Sequence, residues 1–215
     1  ALLANRLEQL EQRPDSPLAQ PKAQSGIFLR RFGYAMLVAR TETGKWRQGL
    51  TLLQASLAQA LKDGFSEAEL ARGKREVAAL LEKAVQTAPS RDSKQLAEEI
   101  IRKLNDQEVI LSPAQEMATY GPVLEKMTLA EVNAAFRQLW SRQRRLVELV
   151  GAVEPDLGAE QVETQLRELY QANQDKPVTA WVEGQRAPFP YLDSPSVPAA
   201  IVEQVSHKEI GVESY

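Results

Sequence analysis

Few groups in this chain are equipped for chemistry. The single histidine, His207, lies near the C-terminus with no partner at ligand spacing, and the 215 residues contain no cysteine. A catalytic zinc ion takes three protein ligands, usually with His among them, so the usual site cannot be assembled here. His207 reads instead as a solvated linker residue. No Gly-x-Ser-x-Gly occurs, and a serine nucleophile would have only His207 as its base. Phosphate-cradling glycine patterns are absent as well. Glu98–Glu99 and the Glu67/Glu69 pair supply neighbouring carboxylates, but they read as helix-surface and capping acids. Acid–base work needs a cleft and a raised pKa, and nothing in their spacing indicates either. Trp46 and Trp140 fall on helical apolar stripes, as core residues do. On the residues alone, there is no catalytic residue and no metal site.

The composition is that of an α+β domain. Hydrophobic residues make up 43% and charged residues 26%, with a net charge of −3 and both signs interspersed. That balance gives no support for a nucleic-acid partner. The densest basic run, Arg142, Arg144 and Arg145, reads as a solvated corner before a strand. Lack of cysteine excludes disulfides and fits either an oxidising or a reducing compartment. No apolar run reaches the length of a membrane span, and no signal peptide is visible. The chain opens within an apparent helix, Ala1 to Leu7, which reads as an excised piece whose upstream targeting information is missing.

Periodicity places the elements. Leu3, Leu7 and Leu10 mark the end of an amphipathic helix over residues 1–13. Pro14, Pro17 and Pro21 then predict a loop over 14–25. Residues 27–41 read as strand, either one bent strand or two, with Gly33 suggesting a bulge or a close backbone approach. A helix over 45–63 carries Trp46, Leu50, Leu53, Leu57 and Leu61, with Gly64 at its C-terminal cap. Ser66–Glu69 is a capping box, opening a helix with Leu70, Val77, Leu81 and Val85 and ending before Pro89. A further helix over 92–105 aligns Leu96, Ile100 and Leu104. Ser112–Pro113 starts another, with Met117, Tyr120 and Leu124, in which Gly121–Pro122 predicts a kink or break. Thr128–Glu131 is a second capping box, before Val132, Phe136 and Leu139. The nearly continuous apolar run from Leu146 to Val153 predicts a central strand buried on both faces. Pro155–Asp156 begins a last helix with Val162, Leu166, Leu169 and Tyr170. From Pro177 to Tyr215 the texture is a Pro-rich extended linker, pinned by Trp181, Phe189 and Tyr191, with a possible strand after Ile201. The fold class expected is a sheet covered on one face by several helices, over residues 1–176, followed by the linker 177–215.

Several of these segments together resemble the pitrilysin/insulinase-type zinc peptidases, the inverzincins. They are Arg6–Leu7 followed by Asp15-Ser-Pro17, Gly44-Lys-Trp46, the run Gly64-Phe-Ser-Glu-Ala-Glu-Leu70, Lys74, Ser112–Pro113 and Met127 to Asn133. The resemblance spans about residues 1–175 and is to the second, non-metal subdomain of a half-molecule. Ile201–Val202 and Glu209 to Tyr215 resemble the connector that leads into the second half.

The resemblance implies a division of labour. Zinc in the parent protein is held by a His-x-x-Glu-His helix and a distant Glu, none of which lies in this chain. Active members also use an Arg and, seven residues later, a Tyr for substrate binding. Tyr34 after Gly33 resembles that Tyr and is the one candidate substrate-binding residue, but Ile27 stands where the Arg would be. Arg30 and Arg31 are at other offsets. The copy therefore reads as the non-catalytic counterpart, with Tyr34 a sheet-packing residue. Implied partners are the zinc-bearing subdomain and second half of the same chain, and extended peptide substrates. The alternatives are a part of a catalytically inactive member serving as scaffold or partner subunit, and a helical interaction module of accidental similarity. The sequence does not give the compartment; the resemblance is compatible with the periplasm, with the cytoplasm as the alternative.

Overall fold

The computed structural model describes residues 1–28, 31–141, 145–151, 153, 157–182, 205–207, 209 and 212–214. They divide into two compact units, Ala1–Val182 and Glu183–Tyr215. The first begins with helix α1 (Leu2–Glu11), followed by strands β1 (Ala19–Phe28) and β2 (Phe32–Arg40). Six more helices follow: α2 (Trp46–Asp63), α3 (Glu67–Thr87), α4 (Ser93–Asn105), α5 (Pro113–Lys126), α6 (Leu129–Trp140) and α7 (Ala159–Gln174). The architecture is α+β, as the composition and periodicity predict.

The region expected to be loop and strand is a hairpin of two strands. β1 pairs antiparallel with β2, from Ala19 opposite Arg40 to Phe28 opposite Phe32. Residues 19–25 are therefore strand, not loop. Pro21 is tolerated because its strand lies at the edge of a two-stranded sheet, where a missing N–H breaks no essential ladder bond. The register shifts between Ala19 and Lys22, and Gln20 takes a positive φ of 51°. The irregularity thus sits at Pro21. Gly33 pairs with Ile27 beside the turn and marks no bulge.

The predicted central strand over 146–153 is not seen among the described residues: 145–151 and 153 carry no strand pairing. Burial still alternates, with Val147 and Leu149 half-buried, whereas Leu146 is 91% and Val150 82% exposed. The segment has the period of a strand, but no described strand lies alongside to satisfy its backbone.

The helices form where local signals put them. Ser66, Ser112 and Thr128 each close a complete capping box with Glu69, Gln115 and Glu131, and Asp92 caps α4 by accepting from the Gln95 N–H. α5 runs unbroken through Pro122. α7 starts at Ala159, later than expected, and Pro155–Asp156 lie outside the described residues. The α2–α3 turn is a glycine position: Gly64 holds a φ of 75°, and a Cβ there would come within 2.8 Å of the Asn133 side chain, so any other residue is strained.

The core sits between α1, α2, the start of α3 and the inner face of the hairpin. Leu3, Leu57, Ala60 and Phe65 form one buried cluster, with Phe136 and Trp140 packed against it. Leu7, Leu10 and Leu18 form the other, and Ala23 and Leu37, a cross-strand pair, touch both. Trp46 is buried too, so both tryptophans are packing residues as predicted. α4 to α7 bury no residue completely, and the Leu96/Leu104 stripe of α4 stays open to solvent.

The second unit contains a short antiparallel hairpin, β3 (Val205–His207) with β4 (Val212–Ser214). His207 is paired with Val212 in its backbone register. Phe189, Tyr191 and Ile201–Val202 lie outside the described residues.

Candidate functional site

Two places concentrate interactions or exposed apolar surface. The first is the outward face of the β1–β2 hairpin. In β2, Ala35, Leu37 and Ala39 point to the core, so Phe32, Tyr34, Met36 and Val38 point away from it. Phe28 pairs with Phe32 at the hairpin's end and joins the same face. All five are exposed, Tyr34 by 43%. They form a contiguous apolar strip on a sheet with no third strand among the described residues, an arrangement that marks a surface for another chain.

Tyr34 stands opposite Gly26, and its ring lies over that glycine: a Cβ at position 26 would meet the hydroxyl at 3.0 Å. Ile27 occupies the next rank, opposite Gly33. Successive strand residues alternate sides, so Ile27 and Tyr34 present to opposite faces of the hairpin. Reading 27–41 as a single strand would place positions 30 and 34 on one face far apart. The hairpin instead puts Arg31 in the turn, its N–H bonded to the Phe28 carbonyl, while Arg30 lies outside the described residues. Tyr34 is thus accompanied on its face by Met36 and Val38.

The second place is a buried ion pair, which sequence reasoning did not find. Arg6 donates from Nε to Glu69 Oε1 at 2.6 Å and from Nη2 to Glu69 Oε2 at 2.9 Å and to the Gly64 carbonyl at 2.8 Å. Both side chains are almost wholly buried. Glu69 also accepts from the Ser66 N–H, so the capping acid assigned to a helix surface closes a core contact. Burial pushes its carboxyl pKa up, but the hydrogen bonds from Arg6 and Ser66 and the guanidinium charge outweigh this and hold it below the usual value. The Arg6 guanidinium also lies 4.7 Å from the Phe65 ring centre and 5.0 Å from that of Trp181. Asn133 grips the same turn from α6, accepting from the Phe65 N–H at 2.9 Å. The run Gly64 to Leu70 is therefore the junction of α1, α2, α3 and α6. Its one available signal was an arginine on the apolar side of α1, in register with Leu3, Leu7 and Leu10.

Neither place fits a catalytic metal. No three His, Cys, Asp or Glu side chains come together among the described residues, and Glu69 is committed to Arg6 and Ser66. With one histidine and no cysteine in the chain, the donor set for a His-x-x-Glu-His zinc centre is not present. No described helix is long and apolar enough to cross a membrane.

No family profile matches the sequence, and no curated protein does. Solved structures do match its fold. A structure described as a predicted insulinase family protease from Yersinia pestis aligns with a TM-score of 0.66 and 21% identity, over 80% of this chain and 36% of that one. The first half of the periplasmic protease PqqL from Escherichia coli aligns at 0.63 and 18%, over 85% of this chain and 39% of that one. The longer PqqL chain aligns at 0.62 and 18%, over 95% and 23%. The chain thus shares the α+β fold of insulinase-family half-domains and spans well under half the length of each solved relative.

Proposed function

We propose that this chain is a non-catalytic, substrate-chamber subdomain of a larger zinc metallopeptidase of the insulinase type, in which a separate subdomain holds the zinc. The observation that carries this reading is the partial match: most of this chain aligns with about a third of an insulinase family protease chain. Its own residues offer packing, capping and an apolar sheet face. In this reading the outward strip of Phe28, Phe32, Tyr34, Met36 and Val38 forms part of the chamber wall and meets extended peptide. Free hairpin edges then add main-chain hydrogen bonds to the bound segment, while the strip accepts its alternate side chains. Tyr34 contributes contact area over Gly26 and no acid–base step.

The test is binding of a labelled, extended apolar peptide to the chain, followed by fluorescence anisotropy. Saturable binding weakened by Met36→Asp or Val38→Asp, both at exposed positions, supports the reading. Binding that both variants leave unchanged contradicts it. The second reading, part of an inactive family member serving as scaffold, draws on the same match. It is favoured if the zinc motif is missing from the parent sequence that carries this segment.

A further inference from the structure

The segment after α7 does more than leave the first unit. Gln59 on α2 donates from Nε2 to the Thr179 carbonyl, and Lys62 reaches the Val178 carbonyl at 3.5 Å. Two residues on, Trp181 packs on the Leu7/Leu10/Leu18 cluster. Its ring centre is 5.0 Å from the Arg6 guanidinium carbon and 6.0 Å from that of Arg13. Thus one stretch without helix or strand is held along α2 at its start and along α1 at its end. Val182, immediately after it, is 75% exposed.

We propose that residues 178–182 form a releasable strap: Trp181 closes over Arg6, shields the Arg6–Glu69 pair from water, and fixes the point at which the chain leaves this unit. Closure is favoured by the apolar contact with Leu7, Leu10 and Leu18 and by two guanidinium–indole contacts. It is opposed by two donors, Arg6 Nη1 and Trp181 Nε1, which are out of solvent and have no hydrogen-bond acceptor among the described residues. Opening lets both donors meet water, so the balance is poised and not locked. Because opening also hydrates the Arg6–Glu69 pair, strap position and junction stability are linked. Whatever draws the chain beyond Val182 away weakens the α1–α3 junction by the same factor by which loosening that junction releases the strap. This device stands whether or not the peptide-binding reading holds.

The test uses the full 215-residue chain, whose lack of cysteine permits one clean spin label at Val178→Cys, a half-buried strap position whose main-chain carbonyl is the one Lys62 reaches. The label is expected to be immobilised in the parent. In Trp181→Ala a mobile component is expected, with the ratio of open to docked strap raised about 30-fold, the equivalent of about 2 kcal/mol for a desolvated cation–π contact. Trp181→Phe, which keeps a ring, is expected to give an intermediate spectrum with unchanged helix content. A label already mobile in the parent, or a spectrum unmoved by Trp181→Ala, overturns the proposal. So does global unfolding of both Trp181 variants, which would make this segment core and not strap.

Discussion

The junction of α1, α2, α3 and α6 and the arm formed by α4 and α5 are made from the same kinds of residues and stabilised in opposite ways. At the junction, Arg6 and Glu69 meet across 63 residues of chain and are buried together with Leu3, Leu7, Phe65 and Leu70. In the arm, no residue is fully buried; each helix is started by its own side-chain cap, and Lys103 links Glu99 to Glu116 at the surface. The junction's order comes from long-range burial, and the arm's from local hydrogen bonds. A mutation should therefore be costly in one region and mild in the other, even when the residue type is the same.

The largest effect should come from splitting the buried pair. Arg6→Ala leaves Glu69 charged without its partner and should cost about 3–5 kcal/mol, read as a lower urea midpoint. Leu7→Ala should cost about 2–5 kcal/mol, because α1, β1 and the strap leave little room to collapse into the cavity. Losses this large at either position, set against small ones in the arm, would confirm the contrast; comparable losses in both regions would erase it.

Acid should discriminate between the regions next. Glu69 has its carboxyl pKa held below the ordinary value in the fold. The unfolded chain therefore binds its proton first as pH falls. The contribution of this group is fully present above the unfolded value of about 4.3 and is lost as pH drops through the folded value. Urea midpoints measured from neutral pH down to strong acid should fall over that window, and Glu69→Gln, already destabilised, should show a shallower decline there. An unchanged decline would mean that other carboxylates control the acid response.

The arm should give the smallest effects. Ser112→Ala removes the α5 cap and should cost about 1 kcal/mol. Leu104→Ala, on an exposed face, should stay within about 0.5 kcal/mol. A loss above that at Leu104 would show that the α4 stripe is covered in solution and would weaken the contrast between arm and junction.

The same contrast explains what could be read from the sequence. The capping boxes at Ser66 and Thr128 are legible because cap and acid lie three residues apart; at Ser112 the cap is legible beside Pro113, and the reciprocal bond from Gln115 is added by the structure. The α+β class followed from the same local periods. β1 was not legible: Pro21 reads as a breaker, and only the pairing of Lys22 to Phe28 with β2 shows that its place is an irregular edge. The nearly continuous apolar run from Leu146 to Val153 suggests a strand buried on both faces, but burial alternates over residues 146–150 and no described strand pairs with the described part of the run, a circumstance no local pattern reports. Glu69 looked like a surface cap because its partner lies on another helix. At the candidate site, Tyr34 was legible as a strand residue. Its contact with Gly26 and its separation from the face of Ile27 required the register of the hairpin.

In the proposed role this chain contributes a wall and not a catalyst. Zinc per chain, measured after equilibration with excess metal and dialysis, together with cleavage of a quenched fluorescent peptide, tests it most directly. The expected result is no stoichiometric zinc and no cleavage above the buffer rate; one zinc bound per chain with metal-dependent cleavage would overturn the proposed role.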